Sequence, residues 1–253
     1  MNLEVKQLEK KGNLLKLLIK GATPELMNSF RRAIMLEVPT LAIEEVTFFE
    51  NNSVMFDEFL AHRIGMIPIK ADLKDYKKNE TAKFTLDKEG PCTVYGKDIK
   101  SADPSVEIIG KKVPLVKLNK GQRVKMELIA TISTGKEHSK WQPAIVGYRN
   151  THTITVDKEC NACEDCVKHC PKNILEVKAK KIVITDALKC NACKACVNYC
   201  DKGHIKLETD PENFVFFIES HGQSDSEEVA LHAIEALKEK VSEFKKSINS
   251  LKE

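Results

Sequence analysis

The sequence predicts an α+β chain built from more than one domain, on three observations. A chain of 253 residues that is 42% hydrophobic and 30% charged is long enough for two or three globular units, each with its own core. Strand signals rich in β-branched and aromatic residues, AKFTLD at 82–87, VKMELIATIS at 124–133 and FVFFIE at 214–219, stand between segments of helical periodicity near the two ends. Eight of the nine cysteines fall in two short stretches, CNACEDCVKHCP at 160–171 and CNACKACVNYCD at 190–201, which marks a small separate module.

The opening stretch, MNLEVKQLEKKGNLLKLLIKG, scatters lysines and acids among its leucines. It offers neither an apolar h-region nor a small-residue cleavage site, so no signal peptide is expected. No segment approaches the roughly 20 consecutive apolar residues of a membrane span, and a cytoplasmic location is expected. The net charge is +3, and only five of the forty basic residues are arginine: Arg31, Arg32, Arg63, Arg123 and Arg149. Arginine is the side chain most used for bidentate reading of phosphate and guanine, so direct sequence-specific nucleic-acid binding is not expected.

A helix is expected from ATPELMNSFRRAIMLEVP, with Thr23 as N-cap, Pro24 at the first helical position and a stop before Pro39. Leu26, Phe30 and Ile34 give it an apolar face at i, i+4 and i+8. Arg31 and Arg32 project from other faces, as a solvated pair or as contacts to a partner protein. The strand signals dominate the stretch that follows. Cys92, alone in GPCTVYG, reads as a small part-buried residue. The chain contains no Gly-rich dinucleotide loop, P-loop, nucleophile elbow or His-Glu zinc motif. Its seven histidines, His62, His138, His152, His169, His204, His221 and His232, are scattered and read as surface or capped residues. No catalytic residue is assigned.

Each cysteine run has the form C-x2-C-x2-C-x3-C, with Cys160, Cys163, Cys166 and Cys170 in the first and Cys190, Cys193, Cys196 and Cys200 in the second. This is the spacing of bacterial ferredoxins, in which three thiolates wrap one cluster and the fourth cysteine of each run ligates the other. By that resemblance one cluster takes Cys160, Cys163, Cys166 and Cys200, and the other Cys190, Cys193, Cys196 and Cys170. Short apolar stretches at 154–156, 174–177, 182–184 and 205–207 repeat at a similar offset and imply two half-units with near two-fold symmetry. A module of about 50 residues is small for a self-sufficient apolar core, so metal loss is expected to unfold it. A pair of zinc sites built from four cysteines each is the competing reading, although zinc sites usually separate two C-x2-C pairs by a longer loop. Pro171 follows the first run, whereas Asp201 stands at the matching place after the second, which leaves the surroundings of Cys200 open.

From Asp225 to Leu251 apolar residues recur at Ala230, Ile234, Leu237, Val241, Phe244, Ile248 and Leu251, a 4-3-4-3-4-3 spacing. This heptad seam predicts a helix that seeks another helix, with glutamates and lysines on its other faces and SDSE at 224–227 as a capping box. A helix that only covers its own sheet would show a wider stripe of period 3.6.

The segment NSFRRAIMLEVPTLAIEEVTFFE at 28–50, continuing through NNSVMFDEFLAHRIGMIPIK to Lys70, resembles the archaeal family of D-type subunits of DNA-directed RNA polymerase, which is related to the bacterial polymerase α subunit. GKEHSKWQPA at 135–144, FVFFIES at 214–220 and the terminal helix resemble the same family, so the similarity spans essentially the whole chain. The resemblance implies a discontinuous dimerisation domain from 1–44 and 209–253, a mostly β middle domain at 45–154, and an inserted ferredoxin-like domain at 155–208. It also implies a heterodimer with the small subunit L, on which the large catalytic subunits and other small assembly subunits gather. Phe30, Arg31, Arg32, Ile34, Ile234, Leu237, Val241, Phe244, Ile248 and Leu251 are the candidate partner-facing residues. Family members differ in how many complete ligand sets they keep, and two complete sets here imply two [4Fe-4S] clusters with a structural or regulatory role in assembly. A two-cluster electron-transfer protein or oxidoreductase subunit is the alternative, and a zinc-stabilised homodimer a third reading.

Overall fold

The structure is a computed structural model that describes residues 2–71 and 81–251. Residues 1, 72–80 and 252–253, which belong to the expected dimerisation and middle domains, lie outside the described residues. In chain order the first elements are β1 (Glu4–Lys11), β2 (Leu14–Lys20), α1 (Pro24–Glu37), β3 (Pro39–Asn51) and α2 (Asp57–Gly65). Then come β4 (Ile69–Lys70), β5 (Thr81–Glu89), β6 (Cys92–Tyr95), β7 (Lys100–Ser101), β8 (Glu107–Ile108), β9 (Pro114–Leu118) and β10 (Arg123–Thr134). The chain closes with β11 (Ala144–Val156), α3 (Asp165–Lys168), β12 (Leu175–Lys178), β13 (Lys181–Ile184), α4 (Ala195–Asn198), β14 (Ile205–Ser220) and α5 (Ser226–Ser250). The result is mixed α and β with strands in the majority.

Strand alternation builds the larger core. In β10 Val124, Met126, Leu128 and Ala130 are buried while Lys125 and Glu127 are exposed, and in β5 Ala82, Phe84 and Leu86 alternate with Lys83 and Thr85 in the same way. A strand with period-two polarity buries one face only. The antiparallel register sets Met126 opposite Leu86, Leu128 opposite Phe84 and Ala130 opposite Ala82, so the inward residues meet as cross-strand pairs. The sheet order is β3-β10-β5-β7, with register shifts in the β3 pairing at 125/126 and 129/130.

The expected first helix runs from Pro24 to Glu37, and the Thr23 hydroxyl accepts a bond from the Leu26 amide at 3.4 Å. Its buried stripe is not the one expected. Met27, Ala33 and Ile34 are buried, whereas Leu26 and Phe30 are half-buried. The GKEHSKWQPA stretch then locks the end of this helix to its own surroundings. A side chain at Gly135 would collide with the Met35 carbonyl, so only glycine lets this backbone pass, and the Lys136 amide donates to the Leu36 carbonyl at 3.2 Å. Trp141 is buried, its indole N–H donating to the Thr131 carbonyl at 3.1 Å, while the Thr40 hydroxyl donates to the Trp141 carbonyl at 2.8 Å.

Strands from both ends of the chain share the second sheet, whose order is β1-β2-β14-β11. The turn between β1 and β2 is fastened to the start of α5. Lys10 reaches Asp225 at 3.5 Å and Glu227 at 3.0 Å, and the Asn13 carbonyl accepts from the Ser220 amide at 3.0 Å and from the Ser226 hydroxyl. By compactness the chain divides into residues 1–9, 16–28 and 147–217, and residues 10–15, 29–146 and 218–253. The cysteine module falls within the first of these units, together with most of the strands that flank it.

Candidate functional site

The two cysteine runs fold into loops that repeat each other bond for bond. The Val167 and Lys168 amides donate to the Glu164 carbonyl at 3.0 Å each, and thirty residues on Val197 and Asn198 donate to the Lys194 carbonyl at 3.0 and 2.9 Å. Cys170 donates to Val167 at 3.3 Å and Cys200 to Val197 at 3.2 Å. Non-glycine residues hold left-handed backbone at matching places, Ala162 (φ 52°) with Ala192 (φ 54°) and Glu164 (φ 71°) with Lys194 (φ 59°). Each such residue costs about 1–2 kcal/mol, and the left-handed bends turn each loop back so that its three leading sulfurs share one concavity. His169 and Tyr199, themselves thirty residues apart, stack where the halves meet, with ring centroids 3.6 Å apart and planes 9° from parallel.

The difference between Pro171 and Asp201 leaves the backbone unchanged. The Asn173 amide donates to the Cys170 carbonyl at 3.1 Å and the Gly203 amide to the Cys200 carbonyl at 2.9 Å, with φ of 49° and 67° at the two donors. The same turn therefore follows both fourth cysteines.

Two hollows result. One is lined by Cys160, Cys163, Cys166 and Cys200, and the other by Cys170, Cys190, Cys193 and Cys196, with Ile182 and Ile205 in the first wall and Ile154, Ile174 and Leu207 in the second. Each hollow thus draws three cysteines from one run and the last cysteine of the other. Burial pushes the Cys166 thiol up to about 11, and the neighbouring sulfurs of Cys163 and Cys160 push the same way. Cys196 is raised by burial first and then by Cys170, Cys190 and Cys193. The buried thiols of Cys166 and Cys196 thus resist ionisation unless a cation takes the place of their protons. Among the described residues no group of three or more His, Cys, Asp or Glu is arranged to hold a metal ion. The donor set of each hollow is four sulfurs spread around a concavity.

The loops are anchored differently outside the hollows. The first is tied through Asp157, whose amide donates to the His204 carbonyl at 2.8 Å and whose carboxylate lies 3.9 Å from the His204 ring. The second is tied by Arg149 of β11, which donates to the Cys190 carbonyl at 2.8 Å and to the Leu188 carbonyl. The sequence carries no signal for this role of Arg149. Its partners are main-chain carbonyls 39 and 41 residues away, and any residue type supplies a carbonyl.

The candidate partner-facing residues fall into two groups. On α5, Ala230 is buried with Val229 and Ala233, but Ile234 is 39% exposed, Val241 and Phe244 are 68% exposed, Ile248 is 42% exposed and Leu251 84%. Leu237 is half-buried. On α1, Ile34 is fully buried, so in this chain it is a core residue and unavailable to a partner, because its stripe with Met27 and Ala33 faces inward. Phe30 is half-buried, the Arg31 guanidinium reaches the Met35 sulfur at 3.4 Å, and Arg32 is exposed. Cys92 is half-buried, its thiol directed at the Glu89 carbonyl at 3.4 Å, in keeping with a packing role. Among the described residues no helix is long and apolar enough to cross a membrane.

The family described as the RNA polymerase Rpb3/RpoA insert domain matches residues 46–158. Proteins named DNA-directed RNA polymerase subunit Rpo3 are similar along nearly the whole chain. The one from Archaeoglobus fulgidus is 38% identical over 261 aligned residues, covering 98% of each chain. That from Methanosarcina acetivorans is 35% identical, covering 96% of this chain and 97% of its own, and that from Pyrococcus furiosus is 34% identical, covering 98% of both.

Proposed function

This chain belongs to the Rpo3 family of DNA-directed RNA polymerase subunits, and from that membership we propose that it is a non-catalytic assembly platform of the polymerase. It pairs with the small subunit L through α5 and presents the pair to the large catalytic subunits. The observation that carries this reading is the unpartnered seam: after Ala233 the helix continues with Ile234, Val241, Phe244, Ile248 and Leu251 exposed at heptad spacing. An apolar row of this period on an otherwise charged helix is what a second helix covers.

In the same reading the cysteine hollows hold two [4Fe-4S] clusters, one on Cys160, Cys163, Cys166 and Cys200 and one on Cys170, Cys190, Cys193 and Cys196. What supports it is the donor chemistry: four sulfurs per hollow, isoleucine and leucine side chains in the walls, and buried thiols at Cys166 and Cys196 that resist ionisation in the absence of a cation. When bound, the clusters would supply the cross-links that hold a small module together. Cluster integrity then governs the shape of the surface offered to the large subunits, and couples assembly to iron and oxygen supply.

Affinity isolation of the tagged full chain under anaerobic conditions, with identification of the co-isolated chains and an absorption spectrum, tests both halves. Polymerase subunits and a brown iron-sulfur spectrum are the expected result. Val241→Glu combined with Phe244→Glu is expected to abolish pairing with L. Cys166→Ser combined with Cys196→Ser is expected to leave pairing nearly intact while weakening recruitment of the large subunits. Undiminished recruitment in the cysteine variant would remove the proposed role of the clusters, and a redox enzyme co-isolating in place of polymerase would replace the platform reading with an electron carrier.

A further inference from the structure

The two halves of the cysteine module match in their loops but not in their fastenings. The 3-10 turn at Ala187–Lys189 leads into Cys190, with the Asp186 carboxylate accepting from the Leu188 amide at 3.1 Å. At the far end of that turn the carbonyls of Leu188 and Cys190 both accept from the fork of Arg149. Position 179, thirty residues after Arg149, is Ala179, so the first half has no equivalent arginine. The cations beside the first loop, Lys158 and Lys202, are exposed side chains, as are Lys172 and Lys194 beside the second. Arg149 is half-buried, and Cys190 is 7% exposed whereas its counterpart Cys160 is half-buried.

We infer that Arg149 is the positioning residue of the second cysteine set, and that it makes the two sites inequivalent by fixing the Leu188–Cys190 turn and holding a half-buried permanent charge beside that site, where the first has only exposed lysines. The inference rests on the cluster reading of the hollows. A guanidinium cannot be deprotonated at working pH and is screened less when half-buried than an exposed lysine is. Its fork satisfies two carbonyls in one rigid geometry, which a lysine cannot reproduce. Positive charge next to a cluster stabilises the form that carries one more electron, whereas exclusion of water opposes it, since net charge, hydrogen bonding and exposure set these potentials. With the Arg149 charge outweighing the lower exposure of Cys190, the cluster on Cys170, Cys190, Cys193 and Cys196 is the more easily reduced of the two. Arg149 lies on β11, whose neighbour in the sheet is β14, and Asn150 beside it donates to the Asp210 carbonyl at 2.8 Å. The second site is thus braced directly against the sheet.

The test is a dithionite titration of the anaerobically purified full chain, in which each cluster takes up one electron from dithionite with no bond made or broken. The two reduced signals are followed by electron paramagnetic resonance and assigned with Cys163→Ser and Cys193→Ser. In the unaltered chain the signal perturbed by Cys193→Ser is expected to appear first. Arg149→Met is expected to shift its reduction equilibrium at least tenfold toward the oxidised form, a 59 mV fall for a one-electron couple, and to leave the other signal in place. Arg149→Lys, which keeps charge without the fork, is expected to recover part of the shift. Should Arg149→Met lose iron instead, loss confined to the second site with retention in Arg149→Lys supports the inference. Unchanged potentials with full iron, or equal loss from both sites, overturns it. Absence of iron in the unaltered chain is a separate outcome that fails the cluster reading itself.

Discussion

The β3-β10-β5 sheet and the cysteine module both have an interior, and they are made of different material. Among the described residues, the sheet and the elements over it bury twenty from Leu41 to Ala130, all aliphatic, aromatic or thioether side chains, so apolar burial suffices to hold it. The module buries nine, of which Cys166, Cys170, Cys190 and Cys196 are thiols, so on the proposed cluster reading nearly half of its interior would act as a core only with metal on the sulfur. The module also spends left-handed backbone at Ala162, Glu164, Ala192 and Lys194. One region is stabilised by what it excludes, and the other by what it would enclose.

Metal removal should separate the two regions most sharply. Treatment with chelator and oxidant is expected to erase amide-exchange protection across 155–207 while β10 keeps its protection. Persistent protection of the β12-β13 hairpin would show that the module's hydrocarbon is enough by itself. The converse cut is Phe84→Ala, at a residue 1% exposed and opposite Leu128 in the sheet. It is expected to cost about 3–5 kcal/mol in urea denaturation, with iron content unchanged.

The pH dependence of loading sharpens the contrast from the chemical side. In the metal-free fold the protonated thiol is the favoured form, because burial pushes Cys166 up to about 11. Every thiol that becomes a ligand must shed its proton, so on the proposed cluster reading iron uptake is expected to strengthen as pH rises from 7 toward 9, by about tenfold per unit for each protonated thiol. Cluster reconstitution at several pH values, with proton release followed in weak buffer, checks it; a flat profile would mean the sulfurs are already ionised. The smallest effect is expected at the α5 N-cap. Asp225 accepts from the Ser226 amide at 2.9 Å, and Asp225→Ala is expected to cost about 1 kcal/mol in thermal denaturation without touching the iron.

Local chemistry was legible in the sequence where short-range rules act. Pro24 after Thr23 starts α1, and period-two polarity marks β5 and β10. The last helix begins one residue later than SDSE suggests, with Asp225 and not Ser224 as its N-cap, since either short polar side chain suits the cap position and the fastening of Ser226 to Asn13 selects the frame. The seam was legible as spacing, but its exposure was not. Ala230 lies on the same stripe as Val241 and is buried, because the first turns of α5 pack their apolar side chains while Val241 stays 68% exposed.

By itself the sequence determined the element types, the cysteine spacing, the thirty-residue repeat and the seam, all of which rest on interactions between residues a few positions apart. Only the tertiary structure decided that Ile34 points inward, that Asp201 takes the same turn as Pro171, and that Arg149 grips the second loop and leaves the first to Asp157 and His204. The physical reason is common to the three. Burial is a property of what packs around a side chain, a backbone amide reaches the same carbonyl whatever side chain stands between, and a carbonyl acceptor carries no mark of its residue type, so none of these leaves a pattern along the chain.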